Sequence, residues 1–320
     1  MTPKASAAPS DSKLEYKIQK ILVPLDFSPP SMEALDSAVS LAKQFQAAIH
    51  LVHVYPPDEA ASLPDAGHLL LQSAEAIERL NEELAGIHRT RVASFRPENC
   101  HIRCGRPHQE IIGLARELDA DLIVLSTRGH SGLKHLLLGS TAERVVRGAP
   151  CPVLIAGKRK QKSKTANKTF TIRTMLVPVD FSECSLAGVK YAAFLAKKLY
   201  ATLRLFYVMY PCVDYVFVDR AGVRISEVIE AVHEAARQEM DALKQIDFLR
   251  DVSLQTEIRP GRPIDEICSA ADQPNVDLIV TSTHGRTGFK HAVIGSVAEH
   301  VVRYAECPVL VVPSRSQPES

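Results

Sequence analysis

The sequence predicts two tandem doubly wound α/β domains, and three observations carry that prediction. The stretch DLIVLSTRGHSGLKHLLLGSTAERVVRGAPCPVLI from Asp121 returns as DLIVTSTHGRTGFKHAVIGSVAEHVVRYAECPVLV from Asp277, with 22 of 35 positions identical. KILVPLDFSPPS from Lys20 is answered by TMLVPVDFSECS from Thr174, so the repeat spans a whole domain of about 150 residues rather than a solenoid unit. Within each copy, short apolar runs alternate with longer amphipathic stretches, the pattern of a parallel sheet covered on both faces.

Taken in order, KILVPLD from Lys20 reads as a buried strand, and Ala34, Ala38, Leu41 and Ala42 recur at helical spacing after it. IHLVHVY from Ile49 is a second strand, followed by a helix within 69–92. His101 and Ile102 mark a third strand, and Pro107 opens a helix, where a first-turn proline is tolerated. DLIVL from Asp121 and PVLIA from Pro152 complete the set, and 171–313 repeats the order. The expected organisation is a disordered lead over 1–16, a first domain over 17–157, a basic solvated linker over 158–170, a second domain over 171–314 and a tail over 315–320.

Composition narrows the function. The 320 residues are 46% hydrophobic and 23% charged with a net charge of +1, which gives no global argument for nucleic acid or membrane surfaces. The longest apolar runs are too short to span a bilayer, and the N-terminus lacks a secretory core, so a cytoplasmic protein is expected. Seven cysteines without framework spacing suit reduced thiols, with Cys151 and Cys307 as small buried hydrophobes. Cys100 and Cys104 flank His101 but lack a second ligand pair, and the second copy offers Leu254 and Ile258 at the same offset from the openings, so no protein-held metal is expected.

The chemistry-bearing segment follows the fourth strand. Ser126-Thr-Arg-Gly129 precedes Gly139-Ser140 by nine residues, and Ser282-Thr-His-Gly285 precedes Gly295-Ser296 by nine. A small-residue loop lets an anion approach backbone N–H groups, and the helix opened by Gly-Ser offers orphan N–H groups and a positive dipole end to phosphate. Ser140 and Ser296 would cap that helix or donate to a phosphate oxygen. Asp26 and Asp180 end the first strand of each copy, beside the usual crevice of an open parallel sheet. Each would accept ribose hydroxyls, help hold a metal on a polyphosphate, or serve only to cap the following helix.

VPLDFS and VPVDFS, the small-x-x-Gly-x9-Gly-Ser motif and the closing CPVL together resemble the universal stress protein family in its tandem form. The resemblance covers about 17–313. It implies a five-stranded parallel sheet in the order 3-2-1-4-5 in each domain, helices on both faces, and a site for ATP, AMP or ADP, with Mg2+ a candidate companion near Asp26 and Asp180. Carried over by position, the first site would comprise Pro24, Asp26, Ile49 (backbone to adenine), Ser126, Arg128, Gly129, Gly139, Ser140 and Thr141. The second would comprise Pro178, Asp180, Leu203, Ser282, His284, Gly285, Gly295, Ser296 and Val297. Ser126 and Ser282 stand where the family's motif usually begins with glycine, which forbids any glycine-only backbone angle there. The differences Arg128/His284 and Thr141/Val297 point to two unequal sites, the second sensitive to pH through His284.

No P-loop lysine, Ser-His-Asp set or kinase-type set is present, so no catalytic residue is assigned and no enzyme is expected. Lys134-His135 and Lys290-His291 read as solvated or phosphate-facing pairs, and His53, matched by Tyr207, as packing. The leading expectation is an adenine-nucleotide-binding stress-response regulator with slow or no hydrolysis. The alternatives are a nucleotide-independent interaction module and, further off, an ATP-consuming enzyme of related fold. The two domains are expected to pair within the chain through their terminal apolar strands, with a homodimer a further option.

Overall fold

In the computed structural model the described residues are 16–55, 66–92, 96–126, 139–157, 170–209, 225–283 and 295–313. The first copy runs β1 (Lys20–Pro24), α1 (Pro29–Phe45), β2 (Ala48–Tyr55), α2 (Ala66–Arg91), β3 (Cys100–Cys104), α3 (Pro107–Glu117), β4 (Leu122–Ser126), α4 (Ser140–Gly148) and β5 (Val153–Ala156). The second runs β6 (Thr174–Val179), α5 (Glu183–Leu199), β7 (Thr202–Met209), α6 (Ile225–Lys244), β8 (Leu254–Pro260), α7 (Pro263–Ala271), β9 (Leu278–Ser282), α8 (Ser296–Tyr304) and β10 (Val309–Val312).

All ten strands form one sheet in the order β3-β2-β1-β4-β5-β10-β9-β6-β7-β8. Each half is parallel and follows the expected 3-2-1-4-5 order, in which the chain reverses direction between β1 and β4, or β6 and β9. At the centre β5 and β10 pair antiparallel, with Leu154 opposite Leu310. The strands of the two halves therefore run in opposite directions, and their carboxyl edges lie at opposite ends of the sheet.

Period-two alternation sorts the strand side chains onto two buried faces. Ile21, Val23, Ile49 and Leu51 join Ala34, Leu35 and Leu84 under α1 and α2, with Met175, Val177 and Leu203 continuing the same layer in the second half. Leu22, Val52 and Ile123 join Ile111, Leu114 and Val145 under α3 and α4, continued by Leu176, Phe206 and Ile279. Both faces are buried over the inner strands, which is why these read as near-continuous apolar runs, while the edge strands β3 and β8 are only half-buried.

Two residues sit differently from their sequence expectation. Tyr16, placed in the lead, packs edge-on against Tyr191 of α5 with centroids 5.0 Å apart. Phe170, placed in the linker, is 4% exposed. Its N–H donates to Ser40 Oγ at 3.1 Å, and its carbonyl accepts from Gln44 Nε2 at 3.2 Å, both on α1. An aromatic side chain at the end of a polar stretch gains by burial, and α1 supplies the backbone's partners. The remainder of the lead, linker and tail lies outside the described residues.

Candidate functional site

In both halves the first strand ends in the same built turn. Asp26 Oδ1 accepts from Ser28 N–H at 3.1 Å and from Ser28 Oγ at 2.5 Å; Asp180 Oδ1 accepts from Ser182 at 3.0 and 2.5 Å. Ser28 and Ser182, not the aspartates, are the N-caps of α1 and α5, with side chains accepting from Ser31 N–H and Ser185 N–H. The capping alternative is thus displaced by two residues: each carboxylate braces the cap instead of being it. Phe27 and Phe181 carry φ of 61° and 62°, so the turn is held left-handed at a non-glycine residue in both copies. Phe27 stacks on His53 at 4.6 Å and Phe181 packs on Tyr207 at 4.8 Å, and these ring contacts help fix the strained turn. His53 Nδ1 also lies 2.8 Å from Leu25 O, so this side chain is a packing and bracing element.

Register brings the other candidates alongside. Ile21 pairs Leu122 and Leu22 pairs Ile123, which places Ser126 at the edge beside Pro24 and Asp26. Met175 and Leu176 pair Leu278 and Ile279, placing Ser282 beside Pro178 and Asp180. Gly295 N–H donates to Thr283 O at 2.7 Å, tying the start of α8 to the end of β9. Gly139 and Gly295 are the N-caps of α4 and α8, and neither helix has a side-chain cap bond. Ser140 and Ser296 are first helical residues and exposed, so the capping role expected of them falls to glycine backbone. Thr141 and Val297 are half-buried in the first turn of these helices. Arg128, Gly129, His284 and Gly285, like the two Lys-His pairs, lie outside the described residues.

Ile49 and Leu203 do not belong with this group. Ile49 pairs Ile21 and Leu203 pairs Met175, near the amino ends of β1 and β6, whereas Pro24 pairs Val52 and Pro178 pairs Phe206. Ile49 is 2% exposed and its carbonyl lies 3.2 Å from His88 Nε2; Leu203 is fully buried. The backbone of β2 and β7 at the carboxyl edge belongs to Val54 and Tyr55, and to Val208 and Met209. The apolar run shows where a strand is, but not which of its residues stands level with the neighbour's end.

The six described cysteines are free thiols. Burial pushes the thiols of Cys151 and Cys307 up to about 12, far from nucleophilic or metal-binding pKa. No cluster of three or more His, Cys, Asp or Glu that could hold a metal occurs among the described residues. Structural register also changes the counterparts of Cys100 and Cys104. Leu51 pairs Cys100 whereas Leu205 pairs Thr256, so the second-copy residues are Thr256 and Pro260, not Leu254 and Ile258.

The fold defines a tandem doubly wound α/β protein whose strand order reverses once in each half, between β1 and β4 and between β6 and β9. The universal stress protein family model matches residues 17–157 and again 171–313, and the chain belongs to that family, with two of its domains. The universal stress protein MJ0531 of Methanocaldococcus jannaschii is 35% identical over 148 residues, 46% of this chain and 87% of that protein. Universal stress protein YxiE of Bacillus subtilis is 32% identical over 144 residues, 42% of this chain and 97% of its own. Among solved structures, a universal stress protein of Archaeoglobus fulgidus covers 95% of this chain and 99% of its own, with a TM-score of 0.61 at 22% identity. A Pseudomonas aeruginosa protein, PA1789, covers 92% of each chain with a TM-score of 0.59 at 23% identity. These two likenesses extend across both halves and concern the fold. No helix among the described residues is long and apolar enough to cross a membrane.

Proposed function

We propose that the protein is a cytoplasmic adenine-nucleotide-binding regulator with two separate sites, one at each end of the sheet, and with slow or no hydrolysis. The observation that carries this reading is the coincidence, in both halves, of a braced carboxylate at the end of the first strand with a helix that starts on an uncapped glycine. The helix start suits phosphate and the carboxylate suits ribose hydroxyls or a phosphate-bound Mg2+. In this proposal Pro24, Asp26, Ser126, Arg128, Gly129, Gly139, Ser140 and Thr141 line the first site, with Val54 backbone replacing Ile49 at the adenine. Pro178, Asp180, Ser282, His284, Gly285, Gly295, Ser296 and Val297 line the second, with Val208 replacing Leu203. ATP, ADP and AMP share the chemistry these groups recognise.

Antiparallel pairing of β5 with β10 supports a chain whose halves stay together in cis, each protecting the other's edge strand. It also separates the sites, so occupancy of one would reach the other only through the sheet and its packed helices. Regulation would then follow from any conformational state that nucleotide favours.

Asp26→Asn with Asp180→Asn tests the reading, because an amide oxygen still accepts from Ser28 and Ser182 while the charge is lost. A hydrogen bond to a charged group contributes about 1.5–3 kcal/mol, so adenine-nucleotide affinity by calorimetry should fall about tenfold or more with thermal stability little changed. Unchanged affinity would reduce both aspartates to turn-bracing residues and remove them from the site.

A further inference from the structure

Two equivalent positions at the outer edges of the sheet carry different chemistry. In the first half they are His50 on β2 and His101 on the edge strand β3, with His50 Nδ1 3.2 Å from His101 Nε2 and the rings stacked 5.5 Å apart. In the second half the register puts Arg204 on β7 and Glu257 on the edge strand β8 in the same places. There Arg204 Nε donates to Glu257 Oε2 at 2.8 Å and Arg204 Nη1 to Gln273 Oε1 at 2.6 Å. Both pairs lie on the sheet face covered by α3 or α7, and His50 and Arg204 are each 8% exposed. One pair is neutral and can take up protons as the medium turns acid; the other is already an ion pair.

We propose that the outer edge of the first domain is an acid-responsive element, in which proton uptake by the His50–His101 pair loosens β3 from β2 while Arg204–Glu257 holds the matching edge of the second domain. The bond between the two rings needs one N–H and one lone pair. One added proton leaves that bond but puts a cation in a buried place; a second turns both nitrogens into donors and breaks it.

The groups facing the pair do not offset this charge. Lys20 approaches from β1, His88 from α2, Glu98 from the turn before β3, Arg103 from β3 and Glu117 from α3. Of the two carboxylates, Glu117 is already paired with Arg103. Burial first, then His101, Lys20 and His88, holds His50 down to about 4 from the usual 6.5, with Glu98 opposing. Burial and Arg103 lower His101 as well. A histidine depressed in the folded state leaves stability intact above the unfolded value of 6.5, and that stability is lost progressively as pH falls from 6.5 toward about 4. In the second half burial pushes Glu257 up, but the hydrogen bonds from Arg204 and Arg259 outweigh it and hold the carboxyl below the ordinary range, so the pair stays charged throughout this window.

Hydrogen exchange of the full chain, corrected for intrinsic rates at pH 7.5 and 5.0, tests the proposal. With one pKa unit equal to a tenfold factor, protection over 48–55 and 96–104 should fall about tenfold or more at pH 5.0. Protection over 202–209 and 254–260 should change by less than about threefold. The double variant His50→Arg with His101→Glu, which transplants the second half's pair, should remove the pH effect. His50→Gln with His101→Gln keeps a polar pair without titration and should do the same if the first variant folds poorly. Equal loss at both edges, or loss that persists in the variants with His88 still present, would overturn the proposal.

Discussion

Arg204→Ala is expected to destabilise the second domain by about 3–5 kcal/mol, the cost of leaving one member of a buried ion pair without its partner. The side chain is 10% exposed and Glu257 27%. Arg204 forks across Glu257 and Gln273, so its removal leaves two acceptors short of a donor at once. Arg259 still reaches Glu257 and sits over the Phe206 ring at 5.2 Å, which keeps the loss toward the lower end of that range. Arg204→Lys should recover less than half, because an ammonium cannot reproduce the planar fork. Replacing both partners, Arg204→Met with Glu257→Leu, should be milder than Arg204→Ala, since Arg259, which then loses Glu257, still reaches Glu266. Urea unfolding of the four proteins checks the order. A loss below about 1 kcal/mol for Arg204→Ala would mean that the pair behaves as a surface bridge.

Gly157→Val should weaken the contact between the halves by about 1–3 kcal/mol or more, because the new side chain meets backbone rather than a movable side chain. A Cβ at Gly157 would lie 2.7 Å from the Cys307 carbonyl oxygen, 2.8 Å from its carbon and 3.0 Å from Pro308 N. Those atoms lead into β10, whose Val309, Leu310 and Val311 pair with Ile155, Leu154 and Val153. The strand cannot yield without losing that register. The expected sign is a thermal transition that moves down and broadens or divides as the halves uncouple. Gly86→Ala is the control: nothing lies within 4 Å of its Cβ, and a helical glycine replaced by alanine should gain about 0.4–1 kcal/mol. An unchanged, single transition in Gly157→Val would show that the seam contributes little.

The fold was legible in the sequence because the inner strands are buried on both faces and so appear as apolar runs between helices, whereas the edge strands β3 and β8 are half-buried and mixed in sequence. The aspartates at the ends of β1 and β6 were visible for the same reason, since polarity returns where the strand leaves the core. Four things were not legible. Ile49 and Leu203 were assigned by resemblance alone, and strand register, which depends on where the neighbouring strand begins, sets them near the amino ends of β1 and β6. The kinship of His50–His101 with Arg204–Glu257 was hidden because the offset between copies shifts from 154 at β2 to 156 at β3. Tyr16 and Phe170 looked like the ends of a polar lead and a polar linker, and only the folded α5 and α1 give them somewhere to pack. The serine caps and the left-handed Phe27 and Phe181 likewise emerge from the turn as a whole, not from any one residue.

The central claim is that each half carries its own adenine-nucleotide site. Native mass spectrometry of the full chain titrated with ATP tests it most directly. The expected result is sequential binding of two molecules per chain. Asp26→Asn should weaken one binding step and Asp180→Asn the other. Saturation at one molecule per chain, or no binding up to millimolar nucleotide, would contradict the account.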